Sequence, residues 1–216
     1  MKAFISWSSG KDCMYAMHRF LADGGNEVFC LLNMSDANSD RSRSHGIRNE
    51  LIRRQSEKVR IPLIQQPTTR AEYEKDLKAV MAHLKKEHAV DTGVFGDIFV
   101  REHKTWIERV CHDMDITPVF PLWGMDTEVV MNGFLKEGYK SIVISVRKNK
   151  LPPSFLGRIV DEAFINDLRA IPGMDVCGEN GEYHTFVFDG PSLADAVPFE
   201  KGEITENETH HFLQLR

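Results

Sequence analysis

The sequence predicts a doubly wound α/β domain on a parallel sheet over residues 1–117, followed by a smaller α/β domain over residues 118–216. Apolar runs alternate four times with segments of helical period before Thr117, as expected of right-handed strand–helix–strand units. Residues 27–34 form a continuous apolar run, typical of a parallel strand that is covered on both faces. The proline-punctuated stretch 118–124, PVFPLWG, is interpreted as the connector between the two domains.

The first strand–loop–helix unit, residues 4–20, carries the clearest chemistry. Ser8, Ser9 and Gly10 place little side-chain bulk in the loop, so backbone N–H groups can point at an anion where the helix begins. Lys11 adds a positive charge, and the positive end of the helix dipole faces the loop. The helix is indicated by apolar residues at helical spacing before Gly24-Gly25, namely Cys13, Ala16, Met17, Phe20 and Leu21.

The order of residues in this loop excludes two common nucleotide motifs. Neither GxxxxGK[ST] nor GxGxxG is present, whereas Ser8 to Cys13 read SxGxD. That pattern resembles SGGxDS, the pyrophosphate-binding loop of the ATP pyrophosphatases. Ser9 replaces the first glycine, which predicts an ordinary backbone conformation there, and Cys13 puts a thiol in place of the last hydroxyl.

The remainder of the first domain offers two candidate contributions to a site. The helix predicted over 47–59 follows a polar loop, residues 35–44, and His45-Gly46. This region contains five arginines, so it is either a solvated loop and exposed helix face or a flap over a polyanion. After a strand over 61–65 and a helix over 70–88, a strand over 92–95 ends at Gly96-Asp97. Ligands gather at the carboxyl ends of parallel strands, so Asp97 either meets a metal–phosphate group or caps the next helix.

The second domain is predicted to contain a helix capped by Asp126, a strand over 140–146 and a helix over 156–168. Asn180-Gly181 predicts a two-residue β-hairpin just before the strand 186–188. A polar cluster of Glu179, Glu182 and His184 is then expected beside the turn. It either binds magnesium, orients a nucleophile or accepts protons, or it is polar only because turns are exposed to solvent. The tail, residues 204–216, is expected to pair as an edge strand or to join a homodimer interface.

Composition excludes several classes of protein. The net charge of −5 and the isoelectric point near 6.0 argue against general nucleic-acid binding. No apolar run approaches the roughly 20 residues that cross a bilayer, and no signal peptide is evident, so we expect a cytoplasmic protein without membrane contact. The four cysteines contain no CxxC pair, which disfavours a disulfide framework, a zinc ribbon and sulfur transfer.

The motifs SWSSGKDC, HGI, VFGDI, PVFPLWG, FLGR and CGENGEYHTFVFDGP together resemble the diphthine-ammonia ligase family of ATP pyrophosphatases. The resemblance implies a Rossmann-like, adenine-nucleotide α-hydrolase-like domain followed by a smaller carboxyl-terminal domain that completes the cleft. It implies ATP and Mg²⁺ as cofactors and a carboxylate that is adenylated, with release of pyrophosphate, and then amidated by ammonia. The implied acceptor is diphthine of translation elongation factor 2, provided that the host makes diphthamide. The family usually has EGGEYET where this chain has GENGEYHT, which bears on the substrate more than on the chemistry.

The resemblance also assigns roles to individual residues. The implied catalytic residues are Lys11, Asp12, Glu179, Glu182 and His184, and the implied magnesium ligands are Asp12 and Asp97. ATP is expected to contact Ser6, Ser8, Ser9, Gly10, Lys11, Asp12, Cys13, His45, Gly46, Gly96 and Asp97. The acceptor is expected to contact Arg158, Glu179, Asn180, Glu182, Tyr183, His184 and Thr185.

Three other hypotheses remain open at the level of the sequence. The same chemistry could act on a small metabolite or on a tRNA base that the arginine-rich region approaches. The altered loop could belong to a sensor that holds ATP or AMP without turnover. A zinc hydrolase is the weakest, because the histidines include no HExxH spacing.

Overall fold

The computed structural model describes residues 1–43 and 45–216 and contains two sheets, which confirms the predicted α/β fold class. The first sheet is parallel, and its strands alternate with helices. In chain order these elements are β1 (Lys2–Ser6), α1 (Lys11–Ala22), β2 (Glu27–Asp36), α2 (Asn49–Val59), β3 (Leu63–Thr68), α3 (Tyr73–His88), β4 (Thr92–Val94), α4 (Arg101–Asp113) and β5 (Thr117–Val119).

The parallel strands lie in the order β3-β2-β1-β4-β5. β1 pairs with β2 on one side and with β4 on the other, so the chain reverses its winding direction between β1 and β4. The loops that follow these two strands therefore diverge from neighbouring carboxyl ends and leave a crevice between them. This crevice holds the predicted phosphate loop on one side and Gly96-Asp97 on the other.

The central strands are buried on both faces, as their apolar runs predict. In β1, Ala3 and Ile5 pack with α1 and α2 on one face, while Phe4 packs on the other with residues of α3 and α4. All three side chains are fully inaccessible to solvent. Such double coverage explains why β1 and β2 lack the alternation of polar and apolar residues seen in half-exposed strands.

The fifth strand lies in the stretch that the sequence indicates to be a connector. Thr117, Pro118 and Val119 pair with β4 in parallel, so the first sheet extends to residue 119. β5 is an edge strand, and an edge tolerates a proline because the missing N–H is not needed for a further ladder. The proposed domain division at 117/118 therefore falls within the last strand of the first sheet.

The second sheet is antiparallel, with strand order β7-β6-β9-β8. Its elements are α5 (Thr127–Lys136), β6 (Lys140–Arg147), a 3₁₀ turn (Pro153–Phe155), α6 (Glu162–Arg169), β7 (Tyr183–Asp189), β8 (Lys201–Glu206) and β9 (His210–Leu215). Asp126 caps α5 as expected, accepting a hydrogen bond from the Glu128 N–H at 2.8 Å. The tail forms the β8–β9 hairpin, with β8 at the edge.

Two expectations for the second half are wrong. The helix expected from residue 156 begins at Glu162, because Asp161 accepts the Phe164 N–H at 2.7 Å and so sets the first turn. Asn180-Gly181 does not join two strands. The chain before it is irregular, since Asp175 binds the N–H groups of Cys177 and Glu179 at 3.2 and 2.7 Å and holds residues 175–179 in a turn.

The second sheet packs on the α1 face of the first and shares one apolar core with it. The Val187 N–H in β7 donates to the Ser9 carbonyl at 3.0 Å, so the two sheets are joined at the predicted phosphate loop. Within the described part of the chain, no helix combines the length and apolar character needed to cross a bilayer.

Candidate active site

A cavity of about 540 Å³ opens where the β1–α1 loop, the β4–α4 loop and the segment before β7 converge. We call it the main cavity. It is lined by Ser6, Ser8, Lys11, Asp12, Cys13, His45, Gly96, Asp97, Val100, His103, Gly178, Glu179, Asn180, Gly181, Tyr183, His184 and Thr185. The two halves of the chain therefore contribute to one site at the crevice of the parallel sheet.

Ser9 adopts the left-handed conformation that a glycine would normally supply, so the expectation of an ordinary backbone there is wrong. Its φ is 71°. The Ser9 carbonyl accepts hydrogen bonds from the Val187 N–H at 3.0 Å and from Gln55 Nε2 at 3.1 Å. These contacts hold the peptide in place against the steric cost of the left-handed region. The Ser9 side chain is fully buried and does not line the main cavity.

Gln55 is a positioning residue that the sequence pattern does not identify. It is fully buried, accepts a hydrogen bond from Trp7 Nε1 at 2.9 Å, and donates from Nε2 to the carbonyls of Ser9 and Val187 at 3.1 and 2.6 Å. One amide thus ties α2 to the loop and to β7. The only feature of the sequence that could have indicated this role is a polar residue on the buried face of a predicted helix.

The start of α1 is packed too tightly for a side chain at position 10. A Cβ on Gly10 would lie 2.6 Å from Cε1 of His45. The Lys11 N–H, one of the first amides of the helix, donates to Thr185 Oγ1 at 3.1 Å. β7 therefore fixes the end of the helix dipole against the cavity, in the geometry that suits an anion.

Lys11 and Asp12 form a close ion pair inside the main cavity. Lys11 Nζ lies 2.8 and 2.9 Å from the two carboxylate oxygens of Asp12 and 5.3 Å from the centre of the Tyr183 ring. Burial is the largest single effect and would lower the pKa of Lys11, but the charge and hydrogen bond of Asp12, together with Tyr183 and Cys177, outweigh it and the net shift is upward. Lys11 consequently keeps its proton, and its charge is available to an anion.

The thiol of Cys13 is turned into the loop. Its Sγ donates to the Gly10 carbonyl at 3.2 Å and receives the Ser8 hydroxyl at 3.4 Å. Burial raises the pKa of Cys13. The group is therefore a neutral thiol that braces the loop, which removes one basis for sulfur chemistry.

A group of carboxylates lines the main cavity together with Lys11. Glu179 Oε1 accepts the Ile98 N–H at 2.8 Å and so bridges the two halves. Burial raises the pKa of Glu179 to about 7, the Ile98 hydrogen bond opposes the shift, and negative charge on Asp12 and Asp97 adds to it. Burial also raises the pKa of Asp97, which lies 3.4 Å from Nδ1 of His103. Because α4 has no side-chain cap, Asp97 does not cap that helix.

Two stacked imidazoles line the main cavity beside the loop. The rings of His45 and His184 lie 4.4 Å apart at an angle of 25°, and His45 Nδ1 is 3.3 Å from the Thr185 carbonyl. Burial lowers the pKa of His45 to about 4, and burial lowers the pKa of His184 well below its usual value. Both rings are therefore neutral near pH 7 and can accept a proton only at a cost.

Several residues expected at the site lie elsewhere. Gly10 contributes backbone behind the cavity wall, and Gly46 lines a neighbouring cavity. Arg158 pairs with Asp167 at 2.7 Å and lies over the rings of Phe155 and Phe164. Glu182 is buried beside Asn180, whose Nδ2 donates to Glu182 Oε1 at 3.3 Å.

A few residues that line the cavity are not indicated by any motif of the sequence. His103 reaches the cavity from the first turn of α4, three residues beyond Val100, which also lines it. Gly178 and Gly181 line it with backbone, at φ values of 68° and 79°. A Cβ on Gly178 would lie 2.7 Å from the Tyr183 ring, so this turn requires glycine. Only the glycines carried a sequence signal, as part of GENG.

The geometry suits a polyanion that reacts at one end. A buried lysine and a helix amino terminus can hold phosphate, while the carboxylates and neutral imidazoles that line the same cavity can hold a cation or accept protons. Among the described residues, no three His, Cys, Asp or Glu side chains converge as a preformed metal site. A metal would therefore arrive with further oxygen ligands.

Comparison with known proteins gives consistent family matches. The model described as the diphthamide synthase N-terminal domain matches residues 1–118, and the diphthamide synthase C-terminal domain matches residues 126–216. A protein from Homo sapiens named diphthine–ammonia ligase is 25% identical over 228 residues, covering 95% of this chain and 85% of that protein. The Danio rerio protein of that name is 30% identical over 140 residues, covering 63% of this chain and 54% of that protein.

Among solved structures, one described as a predicted subunit of tRNA methyltransferase from Methanocaldococcus jannaschii aligns with a TM-score of 0.46 and 14% identity. The alignment covers 88% of this chain and 98% of that one.

Proposed function

The chain belongs to the diphthamide synthase family, and from this premise we propose that it is an ATP-dependent, AMP-forming ligase that joins ammonia to a carboxylate. The observation that carries the proposal is the position of the Lys11–Asp12 pair. It lies at the amino terminus of α1, inside a cavity that residues 178–185 close from the other half of the chain. In this reading residues 1–117 bind the nucleotide and residues 118–216 supply the acceptor side.

In the first step a carboxylate oxygen of the acceptor attacks the α-phosphorus of ATP. The new O–P bond forms as the bond to the bridging oxygen breaks, and pyrophosphate leaves with dense negative charge. Lys11 and the positive end of the α1 dipole stabilise that charge, because Asp12 and Thr185 hold them in place before the reaction begins. Ser6, Ser8 and Cys13 line the same wall.

In the second step ammonia attacks the acyl carbon of the acyl-adenylate. The C–O bond to AMP breaks, an amide forms, and the nitrogen gives up a proton. Glu179 is our candidate base, since burial and neighbouring negative charge bring its pKa to about 7. His184 is a second acceptor in reach of the cavity.

Magnesium fits these residues when it arrives with the nucleotide. Asp12 and Asp97 would hold it, and it would neutralise charge on the phosphate oxygens. Burial raises the pKa of Asp97 and the charge of Asp12 adds to the shift, so a cation beside Asp97 would favour its ionised form. Nδ1 of His103 lies 3.4 Å from Oδ1 of Asp97.

For the acceptor we propose diphthine on translation elongation factor 2, in a host that makes diphthamide, because the relatives are named for that substrate. The partner would then be a protein rather than a nucleic acid or a membrane. An adenylation of another carboxylate would use the same residues.

Nucleotide product analysis tests the proposal. Protein is incubated with Mg²⁺, ammonium and α-labelled ATP, with and without host protein extract. AMP and pyrophosphate should form, increase with extract, and fall at least ~100-fold in Lys11→Met and Asp12→Ala, since each loses a charge-assisted contact. Lys148→Met, an exposed lysine outside the cavity, is the matched control. Cleavage to ADP, or unchanged AMP release in both site variants, would contradict the mechanism.

A further inference from the structure

A separate cavity of about 360 Å³ lies between the first turn of α3 and the second turn of α4, and we call it the α3–α4 cavity. None of its lining residues lines the main cavity, and none has a role in the reaction proposed above. The volume is in the range of pockets that hold small organic ligands. The cavity is lined by Arg43, Arg70, Ala71, Tyr73, Glu74 and Trp106.

Two aromatic side chains line the α3–α4 cavity side by side. The ring centres of Tyr73 and Trp106 lie 5.9 Å apart, with their planes at 46°. Trp106 Nε1 donates to Glu74 Oε2 at 3.0 Å, which fixes the indole against α3. Both rings are half-buried, so each keeps accessible surface that a ligand can contact. An aromatic surface of this kind favours a planar ring such as a nucleobase.

The carboxylate of Glu74 is already neutralised by its neighbours. It accepts hydrogen bonds from Nη1 and Nη2 of Arg109 at 2.9 and 2.6 Å and from Nζ of Lys78 at 2.8 Å. The hydrogen bonds from Arg109, and then the one from Lys78, lower the pKa of Glu74. Because two cations already bind this carboxylate, Glu74 does not draw a further cation into the α3–α4 cavity.

Two arginines of the lining remain to attract an anion. Arg70 is exposed and forms no ion pair within the described part of the chain. Arg43 donates from Nη1 to the Thr68 carbonyl at 3.3 Å, and the same atom lies 3.7 Å from Asp36 Oδ1, beyond hydrogen-bond distance. Guanidinium groups bind phosphate through two parallel N–H donors. The lining therefore offers cationic donors beside an aromatic surface.

We propose that the α3–α4 cavity binds a nucleobase together with its 5′-phosphate, with the base against Tyr73 and Trp106 and the phosphate on Arg70 and Arg43. Burial raises the pKa of Tyr73, so its hydroxyl stays protonated and can donate to a polar edge of the base. The inference goes beyond the proposed function and does not rest on it, because this ligand lies outside the main cavity. A free nucleotide and a nucleotide of a single RNA strand share this chemistry, and the experiment separates them.

Uridine 5′-monophosphate (UMP) is the probe, and the indole ¹⁵N–H resonance of Trp106 is the reporter by NMR. The resonance is assigned by its loss in Trp106→Phe. Saturable shifts are expected, with a dissociation constant of about 0.1–1 mM. Uridine and ribose 5-phosphate should each bind about tenfold more weakly, because the first lacks the phosphate contact and the second lacks the stacked base.

Arg70→Met and Arg53→Met form a matched pair of variants. Both residues are exposed arginines, but only Arg70 lines the α3–α4 cavity. UMP should bind about tenfold more weakly to Arg70→Met, which loses a charge-assisted contact, and as tightly as wild type to Arg53→Met. UMP binding should also survive Lys11→Met, which removes the cation of the main cavity.

The proposal is overturned by an absence of saturable shifts, by equal losses in the two arginine variants, or by ribose 5-phosphate binding as tightly as UMP, which would indicate a plain anion site. Loss of UMP binding in Lys11→Met would place the nucleotide in the main cavity and would overturn it as well. A 5′-phosphorylated pentauridylate identifies the source of the ligand. Binding at least ~10-fold tighter than UMP supports the site and indicates an RNA strand, whereas equal binding supports it and indicates a free nucleotide.

Discussion

Replacing Ser9 should stabilise the protein in two separable steps. The residue combines a left-handed backbone, φ 71°, with a fully buried hydroxyl that has no partner among the described residues. Ser9→Ala removes the hydroxyl but keeps the backbone cost, and should add about 1 kcal/mol to the free energy of unfolding. Ser9→Gly also removes the backbone cost of about 1–2 kcal/mol, less the roughly 0.5–1 kcal/mol of extra entropy that glycine loses on folding.

The expected order of stability is therefore Ser9→Gly above Ser9→Ala above wild type, with the glycine variant ahead of wild type by about 1–2.5 kcal/mol. For a chain of this length that corresponds to a melting-temperature increase of roughly 2–10 °C. Urea unfolding and calorimetry measure it. ATP affinity should change little, because the Ser9 side chain does not line the main cavity. An alanine variant as stable as the glycine variant, or a glycine variant less stable than wild type, would refute the reasoning about the backbone.

Three further predictions concern the surroundings of the loop. Gly96→Ala places a Cβ 2.8 Å from the Asp12 carbonyl carbon, so it should displace the first turn of α1 and weaken ATP binding at least ~10-fold by calorimetry; unchanged affinity would contradict this. Gln55→Leu should cost about 2–4 kcal/mol in urea unfolding, because it leaves buried donors and acceptors unpaired, and a loss below ~1 kcal/mol would disprove the role of Gln55 as a tie. Folded Glu179 keeps its proton up to about pH 7, whereas the unfolded carboxyl loses it near its ordinary pKa of 4.5. Wild-type stability should thus fall relative to Glu179→Gln as pH rises across that window, and a constant difference would argue against the shift.

Local pattern was sufficient to predict the elements whose structure is decided locally. The period of α1, the apolar run of β2 and the Asp126 cap are each encoded within a few residues, and each is present in the structure. The position of the phosphate loop and of Asp97 at adjacent strand ends followed from the general geometry of parallel sheets.

Tertiary contacts decided the features that the sequence did not predict. Ser9 adopts a left-handed conformation because Gln55 and Val187 hold its carbonyl, and both are distant in the chain. Asn180-Gly181 fails to form a hairpin because Asp175 caps the preceding turn. β5 is three residues long and contains a proline, so only its pairing with β4 identifies it.

Part of the site was predictable because its residues lie close together in the sequence. Lys11, Asp12, Glu179 and His184 belong to contiguous motifs, and the structure brings them to one cavity.

The most direct test of ligation is the fate of ammonia. Protein, MgATP and ¹⁵N-ammonium are incubated with host protein extract, and mass spectrometry follows ¹⁵N in protein alongside the release of AMP. One ¹⁵N amide should form per AMP released, dependent on ATP and absent with Asp12→Ala. AMP release without ¹⁵N incorporation would contradict amide formation, and ¹⁵N incorporation accompanied by ADP would contradict activation at the α-phosphorus.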